Sequence, residues 1–183
     1  MIPIPAALAL LLALLSTPAA AQEAWDALRA GGMVALLRHA RAPGTGDPAG
    51  FRLADCATQR NLSEEGREQA RRIGEAFRAR GIGVARVLSS RWCRALDTAR
   101  LAFGTAEADP ALDSFFGDRA TEAGQSTAVR ALVARWAGEP GVLALVTHQV
   151  NITALTGVFP AEGEALVLRP TGDGFELVGR VRP

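Results

Sequence analysis

The chain has 183 residues, 49% hydrophobic and 21% charged, with 20 basic side chains against 19 acidic ones. That balance describes one ordinary globular domain and argues against disorder and against a nucleic-acid-binding surface. Every basic side chain is Arg, and both Lys and Tyr are absent, so Lys-based chemistry is excluded and any anion site must be built from guanidinium groups. A net charge of +1 supplies no global field, so function has to come from local clusters.

Residues 1–21 carry no charged side chain and read as a signal peptide. An apolar run over 6–15 is followed by Ser16-Thr17-Pro18 and by Ala19-Ala20-Ala21, an Ala-x-Ala cleavage pattern. The run is too short to span a bilayer comfortably, and no Cys stands near the cut to take a lipid. Cleavage after Ala21 leaves 183 − 21 = 162 residues. Residues 22–183 are then an exported domain, periplasmic or secreted, with no stable membrane insertion after signal removal. Residues 2–5 contain no Arg or Lys, so the positive end is the amino terminus alone, and an uncleaved anchor is the other reading.

Export sets the expectation for the two cysteines. In an oxidising compartment Cys56 and Cys93 should form a disulfide, closing a loop of 93 − 56 = 37 positions and contributing about 4 kcal/mol in the chain-entropy model. The alternative, a zinc site pooling both cysteines with His39 and His148, lacks the close ligand spacing of structural zinc.

Along the remaining chain, residues 23–30 read as a helix stopped by Gly31-Gly32, and the apolar run 33–37 as a buried strand. Ser63 caps a helix that carries Glu64 and Glu65 in its first turn, shows an apolar stripe of Ala70, Ile73 and Phe77, and stops at Gly81. A strand over 84–88 and a helix over about 92–103 follow, then a polar stretch, 104–124, without a periodic signal. Val129, Leu132, Val133 and Trp136 mark a helix packed on one face, ended by Gly138-Glu139-Pro140-Gly141. Residues 142–146 are another buried strand, 151–156 start a short helix, and 165–168 with 175–181 form a terminal hairpin around Gly172-Asp173-Gly174.

Strands alternating with helices imply an α/β three-layer sandwich: one mostly parallel central sheet with helices on both faces. In such sheets ligands bind beyond the carboxyl ends of the strands. The first apolar run stops at Arg38-His39, the second at Ser89-Ser90 with Arg91 and Arg94 just beyond, and the third at Thr147-His148. Singly, a surface Arg or a hydrogen-bonded structural His is the ordinary explanation. Both histidines of the chain falling at one edge beside arginines point instead to an anion site. Guanidiniums present planar, bidentate donors suited to phosphate and to charge developing on a phosphoryl group in flight. A neutral imidazole is a competent nucleophile, and a protonated neighbour can hold an equatorial oxygen, so the pair needs no metal or other cofactor.

Leu36-Leu37-Arg38-His39-Ala40, Ser89-Ser90-Arg91-Trp92-Cys93-Arg94-Ala95-Leu96-Asp97-Thr98-Ala99 and Leu145-Val146-Thr147-His148 together resemble the signatures of the histidine phosphatase superfamily, also called phosphoglycerate mutase-like. The segment from Leu62 to Ala70 is similar to that family's first long helix. Ala40 stands where the family usually has Gly. The resemblance implies phosphorylation of His39 on a ring nitrogen, with Arg38, Arg94 and His148 clamping the phosphoryl oxygens and no metal required. The family's general acid is commonly a Glu in the segment before the third helix, which Leu112-Asp113-Ser114-Phe115-Phe116-Gly117 resembles with Asp in place of Glu; this nominates Asp113, with Asp118 and Glu122 as competitors. An Asp directly after the second His is the other familial arrangement, and Gln149 occupies that position. Arg41 and Gln149 are candidate substrate contacts, and Arg60 a further basic group.

The resemblance thus implies a phosphoric monoester hydrolase of the histidine acid type, which, with the leader, makes the expected protein an exported enzyme acting on small phosphorylated substrates. With 162 residues there is little room for an inserted cap, so the pocket should be open. A non-catalytic phosphate- or phosphosugar-binding module of the same fold is the alternative, kept alive by Gln149. No nucleic-acid partner is expected, and nothing in the sequence speaks to oligomeric state.

Overall fold

The structure, a computed structural model, describes residues 18–183. Most of the expected leader, residues 1–17, lies outside the described residues, and Ala19-Ala20-Ala21 fall within the first helix, α1 (Pro18–Ala30). Among the described residues no helix is long and apolar enough to cross a membrane.

Six strands form one sheet: β1 (Met33–Arg38), β2 (Val84–Ser89), β3 (Glu107–Ala108), β4 (Val142–Thr147), β5 (Ala165–Thr171) and β6 (Gly174–Val181). Their spatial order is β3-β2-β4-β1-β5-β6. The first four in that order run parallel, and the β5–β6 hairpin is added antiparallel against β1. The two central strands β1 and β4 are apolar up to their last residue because both faces are covered, whereas β2, nearer the edge, exposes Ala85 and Arg86. In β1, Ala35 and Leu37 pack on one face with α1, α2 (Glu64–Ala79) and α3 (Cys93–Phe103). Val34 and Leu36 pack on the other with α4 (Glu122–Arg135) and α5 (Gln149–Thr156). This period-two division makes the three layers expected from the alternating strand and helix pattern.

α2 starts where Ser63 accepts a hydrogen bond from the Gly66 amide and carries Glu64 and Glu65 in its first turn, so the cap and the charge bias agree. Two of its glycines set how closely it packs. A Cβ on Gly66 would lie 2.0 Å from the Arg41 carbonyl oxygen, and one on Gly74 would lie 1.9 Å from that of Ala102. Only a residue without a side chain lets α2 approach the segment after β1 and the end of α3.

The stretch without a periodic signal resolves into short pieces. β3 has two residues, and single 3₁₀ turns cover Pro110–Leu112 and Arg119–Thr121, capped by the side chains of Asp109 and Asp118. Elements this short leave no hydrophobic repeat to read. Cys56 and Cys93 are joined, with Cα atoms 5.7 Å apart, so the expected disulfide is present. It ties the first residue of α3 to the 3₁₀ turn Cys56–Thr58.

Candidate active site

The carboxyl ends of β1, β4 and β2 lie side by side, with Arg38 in register with Thr147 and Ser89 with Val146. The residues that follow each strand are therefore delivered to one edge. His39 donates its amide to the Thr147 carbonyl at 3.0 Å, and Ser90 donates to that of Val146 at 2.9 Å, so both segments continue the sheet by one residue before turning away. The His39 and His148 rings meet edge to face, with centroids 5.4 Å apart. A cavity of about 650 Å³ opens over them. Arg38, His39, Arg94, His148 and Gln149, all singled out from the sequence, stand on its wall.

His39 is 2% exposed. Its Nδ1 lies 2.7 Å from the Ala40 carbonyl oxygen, an atom that can only accept. Nδ1 therefore carries the proton, and Nε2 keeps a bare lone pair. Burial pushes the ring's pKa down to about 3, helped by the charges of Arg94, Arg60 and Arg38, while the bond to Ala40 opposes the shift. His148, 3% exposed, is held well below the ordinary histidine value by burial first and then by His39 and Arg94. Both rings are neutral at pH 7.

Polar contacts fix the second ring as well. Its Nδ1 lies 3.5 Å from Nη2 of Arg94, which can only donate, and its Nε2 lies 2.8 Å from Ser90 Oγ. The Nε2–H then donates to Ser90, whose hydroxyl donates in turn to Asp113 Oδ1 at 3.3 Å. Asp113 also accepts from the Arg91 amide at 2.8 Å and from Arg91 Nε at 2.7 Å. Asp113, the sequence's first choice as general acid, is thus not on the cavity wall. Its carboxylate turns back to Ser90 and Arg91 and stands one hydroxyl behind His148. Asp118 lines the cavity instead, while the Glu122 carboxylate pairs with Arg119 at 2.7 Å.

Arg41 is the other departure. It is exposed and absent from the wall, because its backbone is held from both sides: the amide donates to Gln69 Oε1 at 2.9 Å, and the carbonyl accepts from the Ser63 amide at 3.1 Å. Gln149 donates to Thr153 Oγ1 at 2.9 Å as the first residue of α5.

Each arginine of the site has its own anchor. Arg38 donates from Nη1 to the Pro160 carbonyl at 2.9 Å and faces Glu162 at 3.7 Å. Arg60 reaches the cavity from the segment after the disulfide and donates to the backbone carbonyls of Ala42 and Gly46. Arg94, in the first turn of α3, is forked onto Asp47 by Nη1–Oδ1 and Nη2–Oδ2 contacts of 2.8 and 3.2 Å. Burial alone would raise the Asp47 pKa, but the hydrogen bond and charge of Arg94, with donors from Trp92 and the Arg60 amide, hold it below the usual carboxylate range. Asp47 was not legible in the sequence as a functional residue: it lies in an irregular loop, and its signal is only its pairing in space. Nε of both Arg38 and Arg94 is buried without a hydrogen-bond partner. Among the described residues no group of three or more His, Cys, Asp or Glu is placed to hold a metal ion.

An α/β sheet edge that gathers two neutral imidazoles, one buried guanidinium and two half-buried ones has the chemistry to hold a tetrahedral oxyanion. Residues 34–121 match the family model of the histidine phosphatase superfamily, branch 1. No curated protein matches the chain. Its fold is similar to that of the protein histidine phosphatase SixA complexed with tungstate, with a TM-score of 0.59 and 18% identity over 82% of this chain and 97% of that one. Bacillus stearothermophilus YhfR gives a TM-score of 0.60 at 18% identity, covering 79% of this chain and 94% of its own. A putative phosphohistidine phosphatase SixA from Agrobacterium tumefaciens gives 0.55 at 24%, covering 82% and 98%.

Proposed function

We propose that residues 22–183 form an exported, metal-independent phosphomonoester hydrolase that works through a phosphohistidine on His39. The observation that carries this reading is the Nδ1 contact to the Ala40 carbonyl at 2.7 Å, which leaves a neutral nucleophilic nitrogen, Nε2, in a buried cluster of cations. The unpartnered Nε atoms of Arg38 and Arg94 favour an oxyanion as the missing acceptor, since buried donors without partners are costly. The SixA structure named above was determined with tungstate, a tetrahedral oxyanion of the same shape class as phosphate.

In the first step the Nε2 lone pair forms a bond to phosphorus in line with the leaving alcohol, the phosphorus–oxygen ester bond breaks, and the alcohol oxygen takes a proton from Asp118. Of the two carboxylates on the wall, Asp47 is held ionised by Arg94, which leaves Asp118 for proton transfer. In the second step water gives a proton to the Asp118 carboxylate and attacks phosphorus, and the nitrogen–phosphorus bond breaks to release phosphate and neutral His39. Arg38 and Arg94 stabilise the charge on the equatorial oxygens, the part a metal plays in other phosphatases, while neutral His148, its one proton directed to Ser90, packs edge to face against the nucleophile.

Turnover of an aryl phosphate by purified residues 22–183 with excess EDTA, compared with His39→Ala, tests the reading. The wild type should be active and the variant inactive. Loss of wild-type activity on EDTA treatment indicates a metal enzyme, and absence of turnover with retained phosphate binding indicates the binding module.

A further inference from the structure

The outer part of the cavity differs in chemistry from its floor. Among the described residues, Phe116 and Phe159, 55% and 65% exposed, are two of the three large apolar side chains left open to solvent, and both stand on this wall. Phe51 and Trp92, with ring centroids 5.6 Å apart, form a further aromatic surface on it. Two exposed phenyl rings at one cavity mouth are unfavourable in the empty protein and become useful when a ligand covers them.

Charge narrows the ligand. The cations of the wall are Arg38, Arg60 and Arg94, and each is already turned inward: Arg38 to the Pro160 carbonyl, Arg60 to those of Ala42 and Gly46, Arg94 to Asp47. The remaining carboxyl group of the wall is that of Asp118, the proton donor proposed above, which is not a cation. A second anionic group on the substrate would therefore find no free cation on this wall.

Resting on the phosphatase reading above, we propose that the substrate is the phosphate monoester of an uncharged alcohol that presents a flat apolar face to Phe116 and Phe159. An aromatic ring and the carbon face of a sugar ring share that chemistry.

The test compares kcat/KM for four esters of alcohols: benzyl phosphate, a hexose 6-phosphate, ethyl phosphate and 3-phosphoglycerate. Benzyl and ethyl alcohols are of similar acidity, so their ratio reads binding of the ring rather than leaving-group strength. Benzyl phosphate or the hexose 6-phosphate should exceed ethyl phosphate by about tenfold, the size of an aromatic contact, and 3-phosphoglycerate should be the poorest. Which of the first two leads identifies the ring. Phe116→Ala and Phe159→Ala should each reduce the ratio of the preferred ester to ethyl phosphate by roughly threefold or more, while melting temperatures stay close to wild type because both side chains are exposed. A preference for 3-phosphoglycerate, or ratios that neither variant changes, overturns the proposal while leaving the phosphatase reading intact. Failure of the wild type on all four esters overturns the phosphatase reading and this proposal with it.

Discussion

Two neutral imidazoles locked inside the fold make stability depend on pH in a window where few other groups titrate. In the unfolded chain each histidine takes up a proton near pH 6.5. In the folded chain His39 resists protonation down to about 3. Between those values the unfolded state binds more protons, so stability falls as pH is lowered through 6.5. Integrated from pH 7 to pH 5 for one such ring, the loss is about 2 kcal/mol, and His148 adds to it in the same direction because its pKa is also depressed. The paired carboxylates Asp47 and Glu164 have lowered values and withdraw their contribution only at more acid pH. The 7-to-5 window therefore belongs to the histidines. Urea unfolding of residues 22–183 at half-unit intervals should show this slope, and His39→Gln should lose its share of about 2 kcal/mol. A flat profile between pH 7 and pH 5, or an identical slope in the variant, would refute the assignment of a neutral, buried His39.

Three further outcomes follow from the geometry. Replacing both Cys56 and Cys93 by Ser should lower stability by about 4 kcal/mol, since the bridge closes a loop of 37 positions, and a melting temperature within error of wild type would contradict it. Asp47→Ala removes the fork from Arg94, whose side chain is 3% exposed, and should cost about 3–5 kcal/mol. Tungstate should raise the melting temperature of that variant more than that of wild type, because the oxyanion replaces the lost counter-charge, and equal shifts would count against the role given to Asp47. Ser90→Ala cuts the hydroxyl that joins His148 to Asp113 and should lower kcat by about tenfold or more, with KM for ethyl phosphate changing less than kcat; unchanged kcat would show that the second ring needs no such support.

Much of this site is legible from the sequence because apolar runs of strand length stop at the residues that matter. Arg38-His39 and Thr147-His148 end β1 and β4, and Arg94 lies in the first turn of α3, so a parallel sheet brings them together without further information. The β5–β6 hairpin is equally legible from the alternation around Gly172-Asp173-Gly174. What could not be read depends on irregular backbone. Asp47 comes from a loop with no period, and its partner Arg94 is 47 positions away in sequence; Arg60 stands out in the sequence only as a further basic group, and its place on the wall is fixed by a carbonyl 18 positions away. Asp113 and Asp118 sit in one run of short turns, where residue type alone cannot tell which carboxylate faces the cavity and which turns back to Arg91. Arg41, two residues after His39, reads as a ligand in the sequence, but the close approach of Gly66 to its carbonyl holds that backbone against α2 and leaves the side chain in solvent. The exposed phenyl groups of Phe116 and Phe159 carry no pattern, and only the cavity relates them.

The central claim is that His39 becomes covalently phosphorylated during turnover. Rapid denaturing quench of the wild type reacting with a phosphate ester, followed by alkaline digestion-compatible peptide mass analysis, reads it directly. A phosphoryl group on the peptide containing His39, stable in base, lost in acid and absent in His39→Ala, is the predicted result. Turnover with no phosphorylated peptide, or a phosphoryl group carried by another residue, would contradict the account.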